Sequence, residues 1–211
     1  MILIFIGYSN DICGEGTSAG GLVQGVMANS MQYASLFSAL VLTSPFLNIL
    51  GVMEAIKDGG DDLLGAHEVD EWGDVTDSEK YPILSFIEDD KHLDEISTST
   101  VKDYISSYCP LYNSGQKFHM TNVKELKLPS LFVSIGSQDL KVSADDAKCW
   151  VENMERKYMD ARTSCCIQSP PPVIVLDVGN HGHGGAVSLT DQVSEMVRKV
   201  TFLDVVIQNK Y

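Results

Sequence analysis

The sequence predicts an α/β fold with a mostly parallel sheet, and three observations carry that expectation. Short, nearly continuous apolar runs recur at residues 11–16, 39–44, 131–136 and 173–179, each closed by a turn or loop signal. Patterns with helical spacing fall between and after them. Strands of a parallel sheet are buried on both faces and read as apolar runs rather than as alternation, and the helices that cover them must alternate with them along the chain.

Taken in order, the first run passes through Gly16 into a helical stretch over residues 19–29. The second run, 39–44, ends at Ser44-Pro45, where a proline biases the preceding residue away from helix. Residues 51–118 lack the rhythm and read as a long excursion over the functional edge of the sheet. After the third run, Ala147, Trp150, Val151, Met154 and Tyr158 repeat at helical spacing behind Ser143, an N-cap candidate with Asp146 three residues on. After the fourth, Val193, Met196, Val197, Val200 and Leu203 share one face of a last helix, which is expected to cover the sheet.

A chain of 211 residues is long enough for one well-buried domain and short for two. With 15 basic and 29 acidic residues the net charge is −14, and 16 acidic against 4 basic residues fall between Glu54 and Asp103. A surface that tracks phosphates needs clustered Lys and Arg, so nucleic acid and anionic membrane are excluded as partners and cationic ones favoured. Most of the excursion's carboxylates are ordinary solvated surface. Five cysteines without framework or metal-ligand spacing suit a reducing, cytoplasmic setting. The apolar opening at residues 1–6 is too short to span a bilayer. No H-E-x-x-H or C-x-x-C pair occurs, and neither metal nor cofactor is expected.

Gly16-Thr17-Ser18-Ala19-Gly20 fits G-x-S-x-G, in which a serine on a strained strand-to-helix turn presents its hydroxyl above the sheet. Small residues two before and two after are expected because the backbone folds back on itself there. The start of the following helix offers backbone N–H groups to a developing oxyanion. Gly14-Glu15-Gly16-Thr17-Ser18-Ala19 also matches the phosphate turn of dinucleotide folds, but that fold wants an acid about 20 residues on. None occurs from Leu22 to Met53.

A serine nucleophile needs a base and an orienter, in the chain order Ser, acid, His. Asp139 follows the third run and His183 the fourth, both at the carboxyl ends of strands, where open α/β sheets place their chemistry. Asp145 and Asp146 are read as helix caps, and His181 is a competing base that lacks the glycine setting of His183. His67, His92 and His119 fall in the excursion and read as surface histidines.

Together with Gly21, Ser44-Pro45-Phe46, Glu71-Trp72-Gly73, Ser107-Tyr108-Cys109-Pro110 and Gly182-His183-Gly184-Gly185, these motifs resemble the catalytic domain of prolyl oligopeptidase-type serine peptidases. The Glu-Trp-Gly element and the acidic cluster before it are closer to oligopeptidase B. The resemblance implies an α/β-hydrolase-type sheet, with Ser18 acylated, His183 as base and then acid, Asp139 as orienter and the Ala19 N–H as an oxyanion donor. It also implies that Glu68, Asp70, Glu71 and Trp72 help hold an Arg or Lys side chain before the scissile bond, as a carboxylate paired with guanidinium can. The implied partners are short, possibly basic, peptides.

Two departures from the family pattern stand out. Lys141 occupies the place where an arginine usually follows the aspartate, and an ammonium cannot copy the planar fork that grips a substrate carbonyl. Only 17 residues precede Ser18, so residues 1–211 are expected to form the C-terminal part of a catalytic domain without its early strands, and without a β-propeller. The first strand is then expected to expose unpaired N–H and C=O groups, to be covered by an N-terminal half or by a second chain. The alternatives are an inactive relative that pairs through this edge and an esterase or lipase-like hydrolase.

Overall fold

A computed structural model describes residues 2–5, 12–57, 81–83, 97–116, 128–164 and 170–208. Two compact units make up the chain, one of residues 1–47 with 114–211 and one of residues 48–113.

The larger unit is built on a five-stranded sheet of order β1-β2-β3-β6-β7, formed by β1 (Ile2–Phe5), β2 (Ile12–Thr17), β3 (Phe37–Thr43), β6 (Ser130–Gly136) and β7 (Ile174–Gly179). The last four strands are parallel and correspond to the four apolar runs. All seven positions of β3 and of β6 are buried, as strands covered on both faces must be. The edge of β2 that was expected to be bare is paired with β1, antiparallel, from Ile2 opposite Glu15 to Phe5 opposite Ile12. The apolar opening of the chain is thus a strand.

Parallel neighbours need crossovers. Helices α1 (Ala19–Asn29) and α2 (Met31–Ala34) join β2 to β3, and α6 (Ala144–Ser164) joins β6 to β7. The expected cap of α6 is present: the Asp146 N–H donates to Ser143 Oγ at 3.1 Å. Its expected apolar face is buried at Ala147, Trp150, Val151, Met154 and Tyr158.

Helix α7 (Leu189–Gln208) is rotated from the expected orientation. Of the expected face, Val193, Met196, Val197 and Val200 are exposed and Leu203 alone packs, partly buried, against the core cluster, whereas Glu195, Phe202 and Val206 are buried. Polar anchors explain the rotation. Lys199 bonds Glu195 at 3.0 Å and approaches Glu15 of β2 at 4.0 Å, and Arg198 bonds Asp177 of β7 at 2.9 Å. Further along, Phe202 meets Phe132 with ring centroids 5.4 Å apart, in a cluster with Cys13, Ala39, Val41 and Val206. Three ion-paired positions of the helix, Glu195, Arg198 and Lys199, and two apolar ones, Phe202 and Val206, therefore mark the side turned to the sheet.

The smaller unit holds α3 (Ile49–Lys57), the hairpin of β4 (Tyr81–Ile83) and β5 (Ser97–Ser99), α4 (Val101–Tyr108) and most of α5 (Pro110–Ser114). The excursion thus carries regular elements that its acidic, irregular sequence hides. A capping box starts α4, with Thr100 and Asp103 each accepting the other's backbone N–H. Lys102 bonds Glu54 of α3 at 2.6 Å.

Phe202→Ala should cost about 3–5 kcal/mol in urea denaturation, as for a large aromatic lost from a packed core. Val197→Ser should stay within about 0.5 kcal/mol of the parent, since an exposed position contributes little. Equal losses in the two variants would contradict the orientation of α7.

Candidate active site

The turn from β2 into α1 is held in a conformation that side-chain-bearing residues rarely adopt. Ser18 has φ 55° and ψ −119°. The end of β3 and the residues after it hold it there from both sides. The Ser18 N–H donates to the Thr43 carbonyl at 3.0 Å, and the Ser18 carbonyl accepts from the Phe46 N–H at 3.1 Å as well as from Leu22 of its own helix. Ser44, next to Thr43, also has a positive φ of 41°, and its N–H is fixed by the Ser134 carbonyl of β6 at 2.8 Å. Strain of this kind costs on the order of 1–3 kcal/mol and persists only where surrounding bonds over-determine it.

The expectation that small residues are needed on both sides of the serine holds on one side. A Cβ on Gly16 would lie 2.1 Å from the Gly20 carbonyl oxygen, whereas a Cβ on Gly20 would meet nothing within 4 Å. What matters at position 20 is the backbone that Gly16 approaches.

Asp139 and His183 come to Ser18 from the loops after β6 and β7. His183 Nδ1 lies 2.9 Å from Asp139 Oδ2, and His183 Nε2 lies 3.0 Å from Ser18 Oγ. An ionised carboxylate only accepts, so Nδ1 carries the proton and Nε2 is left to accept the Ser18 hydroxyl. The Asp139 side chain is 1% exposed and that of His183 21%. Burial opposes the Asp139 charge, but the Lys141 N–H, the His183 ring and the Val142 N–H outweigh it and hold the carboxyl below its ordinary value of 3.8. The two N–H groups reach the other oxygen, Oδ1, at 2.9 and 3.1 Å.

The competing histidine has another place. The His181 Nδ1–H donates to the Gly182 carbonyl, its own carbonyl accepts from the Gln138 N–H, and its ring lies over Gly179, where a Cβ would come within 2.3 Å of Nε2. It ties the two loops together without reaching Ser18. Past it, the Gly185 N–H closes on the Gly182 carbonyl with Gly185 at φ 81°, a tight turn around His183 that glycine adopts without strain.

Ala19 opens α1, so its N–H has no carbonyl one turn back within the helix. Lys141 has an exposed side chain, and its observed part in the site is the backbone N–H on Asp139. Glu68, Asp70, Glu71 and Trp72 lie outside the described residues. The clamp by Thr43 and Phe46 was not read as a site. Its signal was Ser44-Pro45-Phe46, a small residue and a proline closing a buried strand. Among the described residues no group of three His, Cys, Asp or Glu is placed to hold a metal ion, and no helix is long and apolar enough to cross a membrane.

No family model matches the chain. A prolyl endopeptidase-like protein of Xenopus laevis is 26% identical over 191 residues, 90% of this chain and 22% of that protein. Among solved structures, oligopeptidase B from Leishmania major matches with a TM-score of 0.63 at 20% identity, over 94% of this chain and 21% of the other. Prolyl oligopeptidase B from Galerina marginata matches with a TM-score of 0.57 at 16% identity, over 93% and 20%. The chain shares their fold over most of its own length and spans about a fifth of theirs.

Gly16→Ala should lose about 2 kcal/mol or more because its methyl meets backbone, while Gly20→Ala should be neutral or gain up to about 1 kcal/mol of helix propensity. Thermal melts that rank the two in the opposite order would contradict the turn geometry. Asp139 contributes stability at pH values above 3.8, and that contribution fades as the pH falls through its lower folded value. The stability gap between the parent and Asp139→Asn should therefore shrink below about pH 4. A gap that is independent of pH in urea titrations would contradict the depressed pKa.

Proposed function

We propose that the chain carries the catalytic machinery of a serine peptidase that hydrolyses short peptides through an acyl-enzyme on Ser18. The observation that carries this reading is the unbroken hydrogen-bond chain from Asp139 through His183 to Ser18. It is supported by the similarity to a prolyl endopeptidase-like protein and to peptidase structures.

In the proposed reaction Ser18 Oγ attacks the scissile carbonyl carbon as His183 Nε2 takes the hydroxyl proton. Asp139, kept ionised, stabilises the imidazolium that results. The carbonyl oxygen becomes an oxyanion beside the Ala19 N–H, at the positive end of the α1 dipole. His183 then gives its proton to the leaving amine as the C–N bond breaks. In the second half a water loses a proton to His183 and attacks the acyl carbon, and the proton returns to Ser18 Oγ as the ester breaks.

The preference we propose is for Arg or Lys on the acyl side, held by carboxylates among Glu68, Asp70 and Glu71 beside Trp72. The sequence supports it through the acidity of that stretch, which suits a basic side chain. The exposed Lys141 side chain is proposed to lie near bound substrate, and a second oxyanion donor to come from a preceding part of the protein or a second chain. Cytoplasmic peptides are the proposed substrates.

Fluorogenic dipeptides ending in Arg, Lys or Pro test both levels of the proposal. Hydrolysis after Arg or Lys is expected, with kcat falling by about 10⁴ in Asp139→Asn because the wrong imidazole tautomer is then favoured. Preference for Pro would reject the acidic pocket, and turnover of simple esters alone would reject peptidase function. An Asp139→Asn variant as active as the parent would reject the triad.

A further inference from the structure

The segment that carries His183 is rich in glycine. Residues 182–185 read Gly-His-Gly-Gly, and glycine has more backbone conformations open to it than any other residue. His183 Nε2 nevertheless lies 3.0 Å from Ser18 Oγ, which belongs to a turn at the end of β2. On one side the segment is tied to the loop after β6, by the Gln138 N–H on the His181 carbonyl and by Gln138 Nε2 on Asn180 Oδ1 at 2.9 Å. On the other side it meets the start of α7.

Three observations describe that second tie. Gln192 Nε2 donates to the Ala186 carbonyl at 2.9 Å, just past the turn. Glu195 is buried, and its Oε2 lies 3.9 Å from where a Cβ on Gly185 would stand. Its other oxygen, Oε1, takes Lys199 Nζ at 3.0 Å, and the same ammonium approaches Glu15 Oε1 at 4.0 Å. Glu15 belongs to β2, the strand that ends at Ser18. Gly185, Glu195, Lys199 and Glu15 thus form one path from the turn of His183 to the strand of the nucleophile. The energetics favour a positioning role for this path over a stabilising one. The Glu195 and Lys199 side chains are 11% and 14% exposed, so lost hydration offsets much of their attraction, and apolar replacement of such a pair is often neutral or stabilising. Helix α7 does not need the pair in order to dock, because Phe202 and Val206 hold its later turns on the core. What the ion pair adds is a defined spacing between loop, helix and strand.

We propose that Glu195 and Lys199 are positioning residues for His183. Neither touches the reacting atoms; together they fix the turn at residues 182–185 relative to β2, and so hold His183 Nε2 at bonding distance from Ser18 Oγ. The proposal rests on the reading of Ser18 as a nucleophile activated by His183.

Two readouts on the 211-residue chain test it: the rate at which a fluorophosphonate labels Ser18, and the far-downfield proton NMR signal of the hydrogen between His183 Nδ1 and Asp139. The double variant Glu195→Leu with Lys199→Met removes both charges at once and is expected to melt at or near the parent temperature. Its labelling should slow about 10- to 100-fold, the cost of a displacement on the order of 1 Å, and its downfield signal should broaden or vanish. Glu195→Gln, which keeps the shape and removes the charge, should change both readouts in the same direction. Arg198→Gln removes the other ion pair of the same helix, to Asp177 of β7, and should leave both at parent values. Parent-like labelling and signal in the double variant and in Glu195→Gln, or an equal loss in Arg198→Gln, would overturn the positioning role and leave the triad standing. The proton signal needs no reactive serine. A parent that takes no label would therefore reject the nucleophile reading, while comparison of the signals still decides the positioning role.

Discussion

The site depends on the backbone of one residue. Ser18 sits at positive φ with its N–H given to Thr43 and its carbonyl to Phe46, so the end of β3 holds the turn from β2 into α1 in a strained shape. Other features serve that clamp. Gly16 must lack a side chain so that the Gly20 backbone can close over it. Thr43 must end a fully buried strand that has no freedom to shift, and β6 fixes the next residue, Ser44, through the Ser134 carbonyl. A turn strained on purpose carries its hydroxyl clear of the sheet, and three strands share the cost of keeping it there.

The same sheet brings the other two residues in without long-range adjustment. Parallel strands put their carboxyl ends along one edge of the sheet, so the loops after the neighbouring β6 and β7 bring Asp139 and His183 together and, past β3, to Ser18 at the end of β2, although 44 positions separate Asp139 from His183 and 165 separate His183 from Ser18. The buried Asp139 carboxylate keeps its charge because two backbone N–H groups and a histidine outweigh desolvation. His181 braces the loops that His183 uses. Electrostatics and topology thus point to one end of the sheet.

Much of this was legible in the sequence because burial leaves a strong mark. Four apolar runs became four parallel strands, and the spacing of Trp150, Met154 and Tyr158 behind Ser143 identified the buried face of α6 and its cap. The order Ser, Asp, His at strand ends was readable because chain order and strand direction together fix which loops meet. Helix α7 was misread for a physical reason: its valines and methionine form a clean stripe, but the salt-linked Glu195 and Lys199 and the bulky Phe202 form another, and side-chain pairing with the sheet chose the second. Hydrophobic periodicity alone does not weigh ion pairs. The Thr43 and Phe46 clamp was missed for a different reason: Ser44-Pro45-Phe46 marks the end of the strand, but the backbone hydrogen bonds that hold Ser18 leave no residue signature of their own. Glu68, Asp70, Glu71 and Trp72 remain a reading of sequence alone.

The central claim is that Ser18 is a nucleophile activated by His183. Intact-mass measurement after treatment with a fluorophosphonate tests it most directly, because this reagent traps an activated serine without needing substrate specificity. One adduct per chain is expected, mapped to Ser18 by peptide digestion, absent in Ser18→Ala and slowed by orders of magnitude in His183→Ala. No adduct, or an adduct that persists in Ser18→Ala, would contradict it.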